Sequence, residues 1–171
     1  MRSSARRLAA IVPLTVLSLA GCSGYGTSQA TATPSPAATS AFQVKVGECF
    51  NVPDDGTTES VTRVEKVACS EPHTFEAFKS SKLTTYDSFP GTKAIKTEAT
   101  GACTDAFQEF TGGTPRASIF QLKWFVPDEE SWVRGDREIL CLVTPDEDGV
   151  QTTGSAASGG GTAVTPSPTA S

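Results

Sequence analysis

Apolar and polar positions alternate through the first half of residues 42–146 and then change period. Val44 and Val46 occupy alternate positions before Cys49, and residues 61–69 are rich in β-branched side chains, with Pro53-Asp54-Asp55-Gly56 between them as turn chemistry. This predicts two antiparallel strands, and residues 74–80 read as a third. Ile95, Ala99, Ala102, Cys103, Ala106, Phe107 and Phe110 then recur at three- and four-residue steps, the stripe of one helix that ends at Gly112-Gly113. Residues 118–126 and 137–143 return to alternation across a polar loop holding Asp128-Glu129-Glu130 and Gly135-Asp136. The expected fold is α+β: a small antiparallel sheet of about five strands with one helix packed on one face.

On either side of this region the pattern disappears. Residues 23–40 carry no charge and almost no large apolar side chain, the composition of a flexible tether. Residues 147–171 are rich in Gly, Ser, Thr and Pro and read as a disordered tail, short of the apolar surface that ordering requires. The expected boundaries are 1–21 for a signal peptide, 22–41 for a modified cysteine and linker, 42–146 for one folded domain and 147–171 for the tail.

The amino terminus supplies the strongest address. Arg2, Arg6 and Arg7 precede an apolar run, and Leu19-Ala20-Gly21-Cys22 follows it. This resembles the bacterial lipoprotein signal, which implies lipidation of Cys22 by fatty acyl chains such as palmitate and attachment to the extracytoplasmic face of the cell membrane. The run is shorter than the ~20 apolar residues of a membrane span.

Setting Cys22 aside leaves Cys49, Cys69, Cys103 and Cys141, an even set in an exported chain, which reads as two disulfides. Cys103 shares the helical stripe with Phe107, and Cys141 shares a strand face with Ile139 and Val143. This favours Cys103–Cys141 as a staple between helix and sheet, with Cys49–Cys69 joining consecutive strands. The four cysteines contain no C-x-x-C pair of the kind structural zinc sites use, so no metal and no cofactor is expected.

Charge narrows the partners. Three of the 14 Lys and Arg and none of the 19 Asp and Glu fall in residues 1–21, which leaves 11 against 19 and a net charge of −8 beyond them. Nucleic acid, which demands a basic footprint, is excluded as a partner.

Longer motifs add a family. Val46-Gly47-Glu48-Cys49-Phe50, Val67-Ala68-Cys69-Ser70-Glu71-Pro72-His73-Thr74-Phe75-Glu76, Cys103, Pro127, Trp132, Gly135-Asp136-Arg137 and Cys141-Leu142 together resemble the septum formation domain family of actinobacteria. The resemblance covers the whole folded region. It implies an extracytoplasmic, membrane-attached domain linked by name to cell division, and it brings no established active site.

Two clusters merit attention as sites. His73 is the only histidine and lies three residues before Glu76, a spacing that would suit a base oriented by a carboxylate. On an extended segment, however, the two side chains fall on opposite faces, and no second histidine and no G-x-S-x-G elbow accompanies them. A structural histidine near the first disulfide is the expectation. Trp132, Asp136 and Arg137 form the second cluster, an aromatic and an arginine beside a turn, as recognition spots have. The structural reading makes Gly135-Asp136 a hairpin turn and pairs Arg137 with a carboxylate such as Glu130. Asp128-Glu129-Glu130 lacks the spaced ligands and central glycine of a calcium loop.

The function expected is that of a non-enzymatic cell-envelope lipoprotein that binds an envelope protein or a peptidoglycan component. A cell-wall hydrolase and a purely structural or sensory envelope module are the alternatives.

Overall fold

Residues 138–145 are buried along nearly their whole length, because the strand they form has apolar cover on both faces. The computed structural model describes residues 38–53, 61–114 and 118–165. Its strands are β1 (Ala38–Ser40), β2 (Cys49–Asn51), β3 (Arg63–Val67), β4 (Phe75–Lys82), β5 (Phe120–Phe125), β6 (Glu138–Pro145), β7 (Gln151–Thr153) and β8 (Thr162–Val164). The helices are α1 (Thr92–Thr111) and the short α2 (Glu129–Val133). β1 to β6 form one antiparallel sheet in the order β1-β3-β2-β4-β6-β5, and β7 pairs with β8 as a separate hairpin. The α+β class is as expected, with one more strand in the main sheet.

The pleat of β6 sends Ile139, Cys141 and Val143 to one side and Leu140 and Leu142 to the other. On the first side lies α1, whose buried Ile95, Ala99, Cys103, Phe107 and Thr111 recur every fourth residue. The helix ends as the Gly-Gly pair predicts, with the Gly112 amide closing onto the Gln108 carbonyl at 3.0 Å. On the other side the sheet curls over itself. Phe50 of β2 stacks on Phe75 at 5.4 Å and reaches Phe125 of β5 at 5.8 Å, although β4 and β6 lie between β2 and β5 in the sheet. Ala41, Val44 and Val64 complete this second core.

Both disulfides form as the stripe and face arguments expect: Cys49–Cys69 joins β2 to the end of β3, and Cys103–Cys141 staples α1 to β6.

Three expectations need correction. The strand expected over 44–49 begins only at Cys49, because Lys45–Glu48 closes a turn: the Glu48 amide reaches the Lys45 carbonyl at 3.1 Å and Gly47 takes φ 87°. Residues 38–40, assigned to the linker, form the edge strand β1 against β3. Within the tail expected over 147–171, residues 151–164 form ordered structure, since this stretch packs by close backbone approach rather than by large apolar side chains. Gly161, at φ +77°, lies where a Cβ would come within 2.7 Å of Thr152 Cγ2. The remaining linker, signal and tail-end assignments lie outside the described residues.

Candidate functional site

The two clusters lie at opposite ends of the β4–β6 pair. Glu76 pairs with Val143 and Lys82 with Glu138, the residue after Arg137. Six residues of strand at ~3.3 Å each separate them by roughly 20 Å, so His73 and Glu76 share no concavity with Trp132, Asp136 and Arg137.

His73 is 1% exposed. Its amide donates to the Thr152 carbonyl at 2.9 Å and its carbonyl accepts from the Thr152 amide at 2.8 Å, which seats β7 beside the Pro72-His73 turn. Its ring Nδ1 lies 2.8 Å from the Glu71 carbonyl. A carbonyl only accepts, so Nδ1 carries the proton and donates. The geometry is that of a structural histidine.

Glu76 is 4% exposed and engaged by the same C-terminal segment. Ser155 Oγ donates to Oε1 at 2.6 Å and the Ala156 amide donates to Oε2 at 2.8 Å. Buried carboxylates require such donors. Ala156 itself enters the core beneath α1. Thr152, Ser155 and Ala156 were missed by sequence reasoning, though Asp148-Gly149 is a turn signal that returns the chain ahead of 150–153.

Cys49 and Cys69 Sγ and a Glu76 carboxylate oxygen lie within 4.8 Å of one another. The sulfurs are joined in the disulfide and offer no thiolate, the form a metal requires.

Trp132 is 4% exposed and packs into the α1-side core, with Phe89 edge-on at 5.8 Å. Its position follows from α2, where Asp128 and Ser131 form a reciprocal cap: Ser131 N donates to Asp128 Oδ1 at 2.6 Å and Asp128 N to Ser131 Oγ at 3.1 Å. The Arg137 guanidinium lies 3.6 Å from the Trp132 ring centroid and donates to the carbonyls of Trp132 and Asp136, both at 2.7 Å. The tryptophan therefore acts as a platform for the half-buried arginine. Gly135-Asp136 does not form a tight hairpin, because α2 occupies the connection. Glu130 pairs instead with Arg134 at 2.6 Å, one helical turn away, and Arg137 takes backbone carbonyls. Beside them Val133 is 82% exposed.

Electrostatics adds two perturbed groups. Burial pushes the Glu48 carboxyl up, but the Lys66 ammonium at 2.6 Å and the Lys45 amide outweigh it and hold the group below the ordinary glutamate value. The Tyr86 hydroxyl, donating to Glu98 at 2.6 Å, is raised above the ordinary tyrosine value by that hydrogen bond.

Among the described residues no helix is long and apolar enough to cross a membrane. The two disulfides mark a domain that folds in an oxidising, extracytoplasmic compartment. A family model described as septum formation matches residues 22–168, most of the chain. No curated protein and no solved structure matches it.

Proposed function

The chain belongs to the septum formation family, and from that premise we propose that it is a lipid-anchored envelope protein that works by binding rather than by catalysis. Its partner is an envelope protein or a peptidoglycan component met at sites of division. The observation that carries this reading is how His73 and Glu76 are used. Both are buried: the His73 ring donates to the Glu71 carbonyl while its backbone pairs with Thr152, and the Glu76 carboxylate accepts from Ser155 and Ala156, so the residues best suited to acid–base chemistry serve the fold. The presented chemistry is at the other end of the sheet, where Trp132 supports Arg137 beside exposed Val133 and Arg134.

The anchor is the lipoprotein-type cysteine, Cys22, which places the acyl chains 16 positions before β1. A chain of that length and Ser/Thr/Ala/Pro composition has an r.m.s. reach of about 20 to 25 Å, which keeps the domain in the membrane-proximal wall. Two or more acyl chains make such attachment stable where one gives marginal binding. The test is fractionation with intact-mass analysis. Cys22→Ala is expected to leave the membrane fraction or to remain an unprocessed precursor; an unmodified, normally processed wild-type chain overturns the anchor.

A further inference from the structure

Among the described residues β5, Phe-Gln-Leu-Lys-Trp-Phe, has no strand on its outer side, and it pairs with β6 in unbroken register without a bulge. The other edge, β1, is only three residues long. Natural edges are blunted by Pro, bulges, brevity or inward charges, and Lys123 is the one charged residue on β5.

The ladder fixes which groups face outward. The Asp146 amide donates to the Ile119 carbonyl at 2.8 Å, in the same register as the β5–β6 pairs. Ile119, Gln121, Lys123 and Phe125 therefore exchange hydrogen bonds with β6, and Phe120, Leu122 and Trp124 turn theirs to the free edge. Pro145, which has no N–H, stands opposite Phe120, as this alternation requires. Among the described residues no hydrogen-bond partner occupies the outer groups of Leu122 or Trp124, while the Phe120 amide is held by Ser118 Oγ at 3.1 Å, a local contact that a paired strand would replace.

We propose that the chain self-associates by pairing this edge, antiparallel, with β5 of a second copy about a two-fold axis at Leu122. Residues 119–125 keep the same pattern of apolar and polar types in both directions about that centre. Leu122 meets Leu122, Phe120 meets Trp124, Gln121 meets Lys123, and Ile119, 58% exposed, meets Phe125. Outward-facing residues meet outward-facing ones, as a hydrogen-bonded ladder demands, and each side chain meets one from the same sheet face. Phe120 and Trp124 make an aromatic cross-strand pair at both ends. The neighbouring register, centred on Lys123, sets that ammonium against its own copy and is disfavoured. Registers centred farther toward either end shorten the overlap. The lysine thus selects the register and does not simply block the edge.

The test is cross-linking of the exported full chain in intact cells with a short bismaleimide, using Leu122→Cys and, as a control at an exposed site away from the edge, Val133→Cys. Leu122→Cys is expected to give a covalent dimer and Val133→Cys to give none. Because Gln121 faces Lys123 twice in the dimer, Gln121→Lys on the Leu122→Cys background is expected to weaken pairing by roughly two- to thirtyfold. Gln121→Glu is expected to strengthen it. The half-buried Gln121 amide also donates to Asp146, to Oδ1 at 2.6 Å and to the carbonyl at 3.0 Å, so thermal unfolding of the position-121 variants separates loss of that contact from a change in pairing. A dimer yield no higher from Leu122→Cys than from Val133→Cys, a yield indifferent to both changes at 121, or capture at 122 of a different protein in place of a second copy overturns the proposal.

Discussion

Glu76 and Ser155 meet across 79 residues of chain, the serine hydroxyl donating to the buried carboxylate at 2.6 Å. This contact, with the Ala156 amide on the other carboxylate oxygen, fastens the C-terminal hairpin to the central sheet. It gives the carboxylate that stands beside the first disulfide a role in the fold, facing the hairpin side of the sheet. A buried acceptor that collects otherwise unsatisfied donors is worth more to the fold than its net hydrogen-bond energy, because removing it strands those donors.

Glu76→Gln is accordingly expected to destabilise the domain by about 1 to 3 kcal/mol, since the amide group presents a donor where one of two donors now points. Ser155→Ala is expected to cost about 1.5 to 3 kcal/mol as a hydrogen bond lost to a charged group. In both variants hydrogen exchange at residues 151–164 rises before the sheet does, which separates loss of the hairpin from global unfolding.

Removal of the helix-to-sheet staple has a larger effect. Cys103 and Cys141 are both fully buried and lie in one core cluster with Phe107 and Ile139. Cys103→Ser with Cys141→Ser is expected to cost roughly 2 to 5 kcal/mol, measured by denaturant unfolding of the oxidised and double-variant chains. A change below 1 kcal/mol would mean that α1 is held by packing alone.

The pH dependence has a worked sign. Glu48 is held below the ordinary glutamate value in the folded state by Lys66 and the Lys45 amide, so it binds a proton more weakly folded than unfolded. Its stabilisation is fully present above the unfolded value near 4.5 and is lost as pH falls through the folded one. The pair is partly exposed, which limits the effect to below about 1 kcal/mol. Glu48→Gln is expected to flatten the stability profile below about pH 4.5 and to lower stability slightly at pH 7. An unchanged acid limb contradicts this assignment.

Much of this architecture was legible because its signals are local. The four-residue recurrence from Ile95 to Phe107 specifies a helix with one buried face, and the placement of Cys103 on that stripe and of Cys141 on a buried strand specifies their union. What escaped were segments ordered by distant partners. Thr152, Ser155 and Ala156 lie in a stretch whose composition resembles a solvated tail, and they become ordered only because His73 and Glu76 supply the matching groups from the other side of the chain. The depth of Trp132 was not legible for a related reason: the Asp128–Ser131 cap folds a polar loop into a turn of helix that drives the ring inward, with the half-buried Arg137 stacked on it.

The claim that the domain works by binding is tested most directly by photo-crosslinking from a reactive residue at position 133, the 82% exposed neighbour of the Trp132–Arg137 stack, in dividing cells. The account predicts a discrete adduct with an envelope component, lost in Arg137→Ala while the thermal unfolding temperature falls only slightly. No adduct above background, or an adduct that survives Arg137→Ala undiminished, would contradict it.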